Sequence, residues 1–454
     1  MKSLIPRNLA LEALNRLDHS PGGAERYLER TFLQEPHLSE RDRAFIVHLV
    51  QGVLRWRLRL DWIIQQTVRF PFKKIEPPVL NILRIAIYQI LFMDRIPESA
   101  VVNEAVAQAK KAGQEHVVRF VNGLLRYVCR HKDQIAFPDR ENERVPYLSI
   151  SHSYPEWLVQ KWIRELGIDF TERLLQAGNQ ILDLVVRVNT LKTDREGLIK
   201  CLEDEGVIGR PTLYSPDGIR VERLHRAIGE LRSFREGLFQ VQGEAAQVCS
   251  HFLYPRPGEF LLDLCAGLGG KTTHMSQLTQ GKGLILALDM NHGKLLRLAQ
   301  SSQRLGTGGI RSVVSDASSQ LSSLFRCSFD RILVDGPCSC LGIISRHPDV
   351  KWARDEDEIS RLARLQKDIL SEAVPLLREG GTMLYVTCTI SREENEEVVS
   401  DFLERNKGIV LEDLKDHVPE WGFDLIDGHG FLRTFPHIHQ MEGFFGALFR
   451  KLER

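Results

Sequence analysis

The chain has 454 residues, too many for one ordinary hydrophobic core, so two or three domains are expected. Hydrophobic residues make up 43% and charged residues 26%, an ordinary globular balance, and no apolar run has the length of a membrane-spanning helix. The formal charge of zero hides an asymmetry. Residues 1–140 carry 22 Lys and Arg against 15 Asp and Glu, and the remainder is acidic by the same margin, which points the first part toward a polyanion.

The opening stretch, MKSLIPRNLALEALNRLDHS, has helical rather than signal-peptide texture, so a cytoplasmic protein with no membrane partner is expected. Ile46, Leu49, Val50, Val53 and Leu54 share one helix face, and Val117, Phe120, Val121, Leu124, Leu125 and Val128 repeat the pattern. Between them, VLNILRIAIYQILF (79–92) is apolar on most sides and predicts a central helix. Residues 1–140 therefore read as an all-α bundle. Arg55, Arg57 and Arg59 are candidates for phosphate contact; the alternative is that they only solvate their helix.

A polar link, DRENERVP (139–146), leads to a small α/β domain expected over 147–235, with LVVRVNTLK (184–192) as a strand. From about 236 to 454 the pattern becomes that of a doubly wound, Rossmann-like parallel sheet. FLLDLC (260–265), GLILALD (283–289), IRSVVSD (310–316), FDRILVD (329–335) and GTMLYVTC (381–388) are its strands, separated mostly by amphipathic segments.

Ligands of open α/β sheets bind beyond the carboxyl ends of the strands. The first strand of this region runs into DLCAGLGGKTTHM, where Gly267, Gly269 and Gly270 permit a tight turn before a helix starting near Lys271. The spacing is neither the dinucleotide G-x-G-x-x-G nor a P-loop. Asp289, Asp316 and Asp335 end successive strands. The first of them is placed for ribose hydroxyls, and the third suits an adenine or an amino acid ammonium; the alternative is that each caps the next helix.

Eight scattered cysteines form no disulfide framework, and Cys338 with Cys340 lacks a second pair at zinc-site spacing, so no metal is expected. Cys338 lies in DGPCSCLGIISRHPDVKW (335–352) and Cys388 in YVTCTISREENEEVV (385–399), both at strand ends. A thiolate can add to C6 of a cytosine and make the poorly nucleophilic C5 able to accept a methyl group. A base must then remove the C5 proton so that the thiol can depart.

The set CAGLGGK, Asp289, Asp316, DGPCS and TCTISREENE, with RVNTLK (187–192) and FQVQGEAAQ (239–247), resembles the NOL1/NOP2/Sun family of RNA 5-methylcytosine methyltransferases over roughly 147–454. With its helical N-terminal part the chain resembles a bacterial subgroup acting on 16S ribosomal RNA, in which that part is similar to the RNA-binding antiterminator NusB. The resemblance implies a monomeric enzyme using S-adenosylmethionine, held by Cys265, Ala266, Gly267, Leu268, Gly269, Gly270, Lys271, Asp289, Asp316 and Asp335. It implies Cys388 as the nucleophile and Cys338 as the aid to product release. Departures are Leu268 where the family has proline, Gly243 where it often has aspartate, and Gly336 in place of alanine. The rival readings are the same chemistry on transfer RNA or another ribosomal site, and a non-catalytic assembly factor.

Overall fold

The computed structural model describes residues 4–20, 22–111, 113, 115–325 and 327–453. They form two compact units, one of residues 1–180 with 344–353 and one of 181–343 with 354–454.

The first unit is helical: α1 (Leu4–His19), α2 (Ala24–Gln34), α3 (Glu40–Thr67), α4 (Pro77–Phe92), α5 (Glu98–Lys111), α6 (Glu115–His131), α7 (Arg144–His152), α8 (Glu156–Leu166) and α9 (Ile168–Gly178). The expected opening helix is thus described from Leu4, and residues 1–3 lie outside the described residues. Local chemistry sets the boundaries. Ser39 caps α3 by accepting from the Asp42 N–H at 3.1 Å. Pro77 and Pro78 open α4, where a missing N–H costs nothing. Ile82, Leu83, Ile85, Ala86 and Ile87 of α4 are all nearly inaccessible, as a helix apolar all round requires. Helices α7 to α9, part of the stretch expected to form the middle domain, belong to this unit.

The expectation of a phosphate-contacting cluster fails at Arg55, which is buried, while Arg57 and Arg59 are partly buried and engaged within the unit. Arg55 is buried and donates to the Ser345 carbonyl at 2.5 Å. Arg57 pairs with Asp18 at 3.0 Å and lies over the Trp352 ring. Arg59 donates to the Ser151 carbonyl and covers Trp56, Phe92 and Phe137. Residues two apart on a helix do not share a face, so the alternation makes no cluster, and α3 also departs from helical geometry at Trp56 (φ −111°, ψ 15°). The same unit takes in the segment 344–353, which contains a one-turn helix, α10 (Val350–Ala353). There the buried Lys351 ammonium donates to the carbonyls of Arg55 (2.8 Å) and Ser153 (2.7 Å) and lies 4.0 Å from the Tyr154 ring centre.

In the second unit, β1 (Leu184–Val188), β2 (Ile208–Pro211), β3 (Gly218–Arg223) and β4 (Phe239–Val241) make an antiparallel sheet in the order β2-β3-β1-β4. Helix α11 (Arg195–Asp204) follows β1 and buries Leu198 and Leu202 with Val186, Val188 and Ile219, and α12 (Glu244–Phe252) follows β4. The remainder is built on β5 (Phe260–Leu264), β6 (Leu284–Asp289), β7 (Ile310–Val314), β8 (Phe329–Asp335), β9 (Leu377–Thr387), β10 (Ile409–Glu412), β11 (Leu432–Arg433) and β12 (Phe445–Lys451).

The main path of this sheet runs β10-β12-β9-β8-β5-β6-β7. The five expected strands, β5 to β9, are parallel to their neighbours. The sheet as a whole is mixed rather than parallel, because β12 pairs antiparallel with β9 and β10 with β12. The chain runs outward from β5 through β6 to β7 and then resumes at β8 on the other side of β5. That reversal puts a crevice beyond the carboxyl end of β5, where such sheets bind ligands.

Candidate active site

Beyond β5 the chain makes a turn strained enough to need its glycines. Cys265 has φ 82°, uncommon for a residue with a side chain, and Gly267 and Gly269 have φ 59° and 79°. The turn is tied to β6, since the Cys265 and Ala266 N–H groups both donate to the Leu288 carbonyl at 3.0 and 2.7 Å. Helix α13 (Gly270–Leu278) starts at once, so its unpaired N–H groups and positive dipole end face the crevice. Leu268 is exposed at the tip.

Asp289 is woven into this turn. One carboxylate oxygen accepts from the Gly267 N–H at 2.9 Å and the other from the Asn291 N–H at 2.7 Å. The cap of the following helix, α14 (His292–Leu305), is Asn291, so Asp289 is not there to cap it. A carboxylate offers about four acceptor sites, which leaves capacity for two ribose hydroxyls. Asp316, beyond β7, accepts from the N–H and hydroxyl of Ser318 at 2.9 and 2.7 Å and so holds its own turn. Asp335 ends β8 and pairs with Lys271 at 2.6 Å. Two residues expected to hold the cofactor thus hold each other. Burial depresses the Lys271 ammonium, but the Asp335 charge and hydrogen bond, together with the nearby Cys249 and Cys388 thiols, outweigh it and raise the pKa.

Two carboxylates of the site lie outside the expected set, the first of them inside β5. Asp263 is fully buried within β5; one oxygen accepts from the Thr272 hydroxyl at 2.6 Å and the other has no partner. Burial pushes its pKa up to about 7. The signal in the sequence was an acid inside an otherwise apolar strand, FLLDL. An orphaned acceptor beside a helix N-terminus, a glycine turn and a carboxylate with spare acceptor capacity fit a ligand bearing an ammonium, a carboxylate and a ribose.

The two cysteine motifs meet because β8 and β9 are parallel neighbours. Asp335 lies opposite Val386, so the residues just past each strand end share one side of the crevice. The Gly342 N–H donates to the Cys388 carbonyl at 3.0 Å and the Gly443 N–H to the Gly342 carbonyl at 2.8 Å. A Cβ at Gly342 would fall 1.9 Å from the Gly443 carbonyl oxygen, so only glycine permits this approach. The result places Cys338 Sγ 3.3 Å from Cys388 Sγ. Cys340 Sγ, absent from the expected site, lies 3.5 Å from Cys388 Sγ.

Both loops are fixed from behind by Glu394, also unforeseen. Its carboxylate accepts from the Ser339 N–H at 2.8 Å and the Gln366 amide at 3.0 Å, and burial raises its pKa to about 7. Among the thiols, hydrogen bonds from Cys338 and then Cys388, together with the Arg354 charge, favour the thiolate at Cys340. The neighbouring thiols and burial hold the Cys388 thiol up.

Residues 250–450 match the family described as 16S rRNA methyltransferase RsmB/F, residues 4–130 the NusB family, and 154–226 the ferredoxin-like domain of RsmF/B-like methyltransferases. A Bacillus subtilis protein named probable ribosomal RNA small subunit methyltransferase B is 32% identical over 452 residues, spanning 99% of this chain and 100% of its own. The chain belongs to the RsmB family of methyltransferases. Ribosomal RNA small subunit methyltransferase B of Proteus mirabilis is 33% identical over 81% of this chain and 85% of its own. The crystal structure of PH0851 aligns with TM-score 0.80 and 28% identity, covering 98% of this chain and 99% of that one. A methyltransferase homologue from Pyrococcus horikoshii aligns with TM-score 0.59 and 27% identity, over 68% of this chain and all of its own. The helical, ferredoxin-like and Rossmann-like parts of an RsmB-family protein are therefore all present. Among the described residues, no helix is long and apolar enough to cross a membrane.

Proposed function

We propose that the chain transfers a methyl group from S-adenosylmethionine to C5 of a cytosine in 16S ribosomal RNA, through a covalent bond between Cys388 and C6 of the base. The observation that carries this reading is the 3.3 Å separation of Cys338 and Cys388 Sγ atoms, from residues 50 apart in sequence. When bound, S-adenosylmethionine supplies an electrophilic methyl group. The turn at Cys265–Gly269, the start of α13 and Asp289 would hold it, with Asp316 and the Lys271–Asp335 pair at the edges. Cys388 gives up its proton, adds to C6 and turns C5 into an enamine-like carbon. After the transfer, a base takes the C5 proton and the Cys388–C6 bond breaks, restoring the ring. Cys338, whose sulfur lies 3.3 Å from that of Cys388, would assist that departure. The direct test incubates protein, labelled S-adenosylmethionine and unmodified 16S ribosomal RNA, then maps the product by bisulfite sequencing. A single protected cytosine is expected. Label on another base, or on transfer RNA alone, would overturn the assignment.

Removing Asp289 tests the cofactor site. Loss of a charge-assisted acceptor is worth about 1.5–3 kcal/mol, so Asp289→Ala should raise the S-adenosylmethionine dissociation constant roughly tenfold to hundredfold. Calorimetry on a folded variant with unchanged affinity would exclude Asp289 from the site.

With Arg55, Arg57 and Arg59 committed inside the helical unit, RNA phosphates need other cations. Arg119, Arg126 and Arg130 are exposed along α6 at helical spacing. Reversing all three to glutamate should weaken RNA binding and reduce its salt slope by about one unit for each phosphate that is no longer neutralised. Equal slopes for variant and parent would remove α6 from the RNA surface.

A further inference from the structure

Two clusters of metal-ligating side chains stand out among the described residues: Asp217 with His251 and His274, and Cys338 with Cys340 and Cys388. The first is a hydrogen-bond knot. Both imidazole Nε2 atoms lie within 3.0 Å of one Asp217 oxygen, which suits two Nε2–H donors. A metal there would force the protons to Nδ1, and the fully buried Nδ1 of His274 has no acceptor to receive it.

The thiol cluster has no such conflict. Its three Sγ–Sγ separations are 3.3, 3.5 and 4.0 Å. Zinc–thiolate bonds of about 2.3 Å set sulfur–sulfur edges of about 3.8 Å in tetrahedral geometry and about 4.0 Å in a trigonal plane. Shifts of a few tenths of an ångström would therefore close three sulfurs around one soft cation. No spacing rule would find this set, because two ligands come from the loop after β8 and one from the end of β9. Cys340 adopts φ 62°, a left-handed conformation rare for a side-chain-bearing residue, in the turn that follows Cys338. Cys340 and Cys388 are partly exposed, which leaves an entry path and a fourth position.

We propose that Cys338, Cys340 and Cys388 form a three-thiolate site for a soft divalent cation such as Zn2+ or Cd2+, and that its occupation withholds the nucleophile from RNA. The second half of this statement rests on Cys388 being that nucleophile; the first rests on geometry alone. Binding breaks the S–H bonds still present, forms three metal–sulfur bonds and releases the protons to solvent, with no change of oxidation state. The three-thiolate complex of a divalent ion carries one net negative charge. Arg354, whose charge acts on Cys340, and Lys271, whose charge acts on Cys388, offset it.

The full chain, kept reduced by a phosphine, is titrated with Cd2+ while the ultraviolet thiolate-to-cadmium charge-transfer band is read. One equivalent should saturate the band. Losing a supporting residue around a metal site already costs about tenfold to hundredfold in affinity, so loss of a ligand in Cys340→Ser should cost at least about a hundredfold. Cys340→Gly, suited to the positive φ, should behave alike and guards against misfolding of the serine variant. Cys327→Ser, which removes an exposed lone thiol, should titrate as the parent does. Parent-like titration of both Cys340 variants, or loss of the band in Cys327→Ser, would overturn the site. In a methylation assay, Zn2+ should suppress the parent reversibly to a chelator, with a smaller ratio of suppression in Cys340→Gly. Suppression equal in both would overturn the blocking role. A parent that binds Cd2+ at these sulfurs yet transfers no methyl group would refute the proposed reaction and leave the metal site standing.

Discussion

Cys388→Ala should abolish both methyl transfer and covalent capture of RNA, while Cys338→Ala should trap the RNA on the protein. Without the Cys388 thiolate there is no nucleophile to add at C6, and the rate should fall by at least about a thousandfold, as for loss of other enzyme nucleophiles. Cys338→Ala leaves that thiol in place, so addition and methyl transfer proceed, and the stall comes at departure of Cys388. Its mark is a protein–RNA band that survives denaturing electrophoresis and requires S-adenosylmethionine and a cytosine-containing target. The 3.3 Å contact makes the two roles separable, since each sulfur reaches the other but only one need reach the base. The reverse pattern, with adduct in Cys388→Ala and none in Cys338→Ala, would exchange the roles and keep the reaction class. Full activity in both variants would refute the cysteine mechanism. Cys340 adds a control, because its sulfur is 3.5 Å from Cys388 and could substitute for Cys338. If Cys338→Ala turns over slowly, Cys338→Ala with Cys340→Ala should restore the stall.

What could be read from the sequence was whatever local pattern decides. The five parallel strands carry apolar runs ended by Asp, Cys or Thr, and they occur where those runs lie. The cofactor turn is written in its glycines. The antiparallel strands β10 and β12 lie outside the expected set, since IVLE is only four residues long and FGALFRK ends in charged residues rather than in the Asp or Cys that marks the others. Arg55 shows a second limit. Its acceptor, the Ser345 carbonyl, is 290 residues away, so a buried structural arginine looked like a surface one. Cys340 shows a third. Its place beside Cys388 depends on the register of β8 against β9, which no linear spacing reveals. Asp263 was the one missed residue that its own neighbours betrayed.

Arg187, in the RVNTLK stretch, carries the other large expected effect. It lies on β1, is 1% exposed, and reaches across to the cofactor turn. One guanidinium nitrogen donates to the Gly270 carbonyl at 2.6 Å and to the Gln242 side chain, and another lies 3.1 Å from the Thr273 hydroxyl. Burial lowers its pKa to about 9, opposed by the Asp217 charge, so it stays a cation at neutral pH. Leaving a buried acceptor unsatisfied costs about 1–3 kcal/mol, so releasing these neutral partners together should cost about 3–5 kcal/mol. Arg187→Met retains much of the volume and so isolates the polar loss. At a few degrees per kcal/mol for a unit of this size, its melting temperature should drop by roughly 10 °C. Arg187→Lys should recover little, since one ammonium cannot reproduce the fork that meets three acceptors. The variant should also bind S-adenosylmethionine more weakly at a temperature where it is fully folded, because the Gly270 carbonyl that anchors the first turn of α13 is released. A melting temperature within a degree or two of the parent would mean that water satisfies those acceptors. Normal cofactor affinity alongside a large stability loss would confine Arg187 to joining the small antiparallel sheet to α13, with no share in shaping the turn.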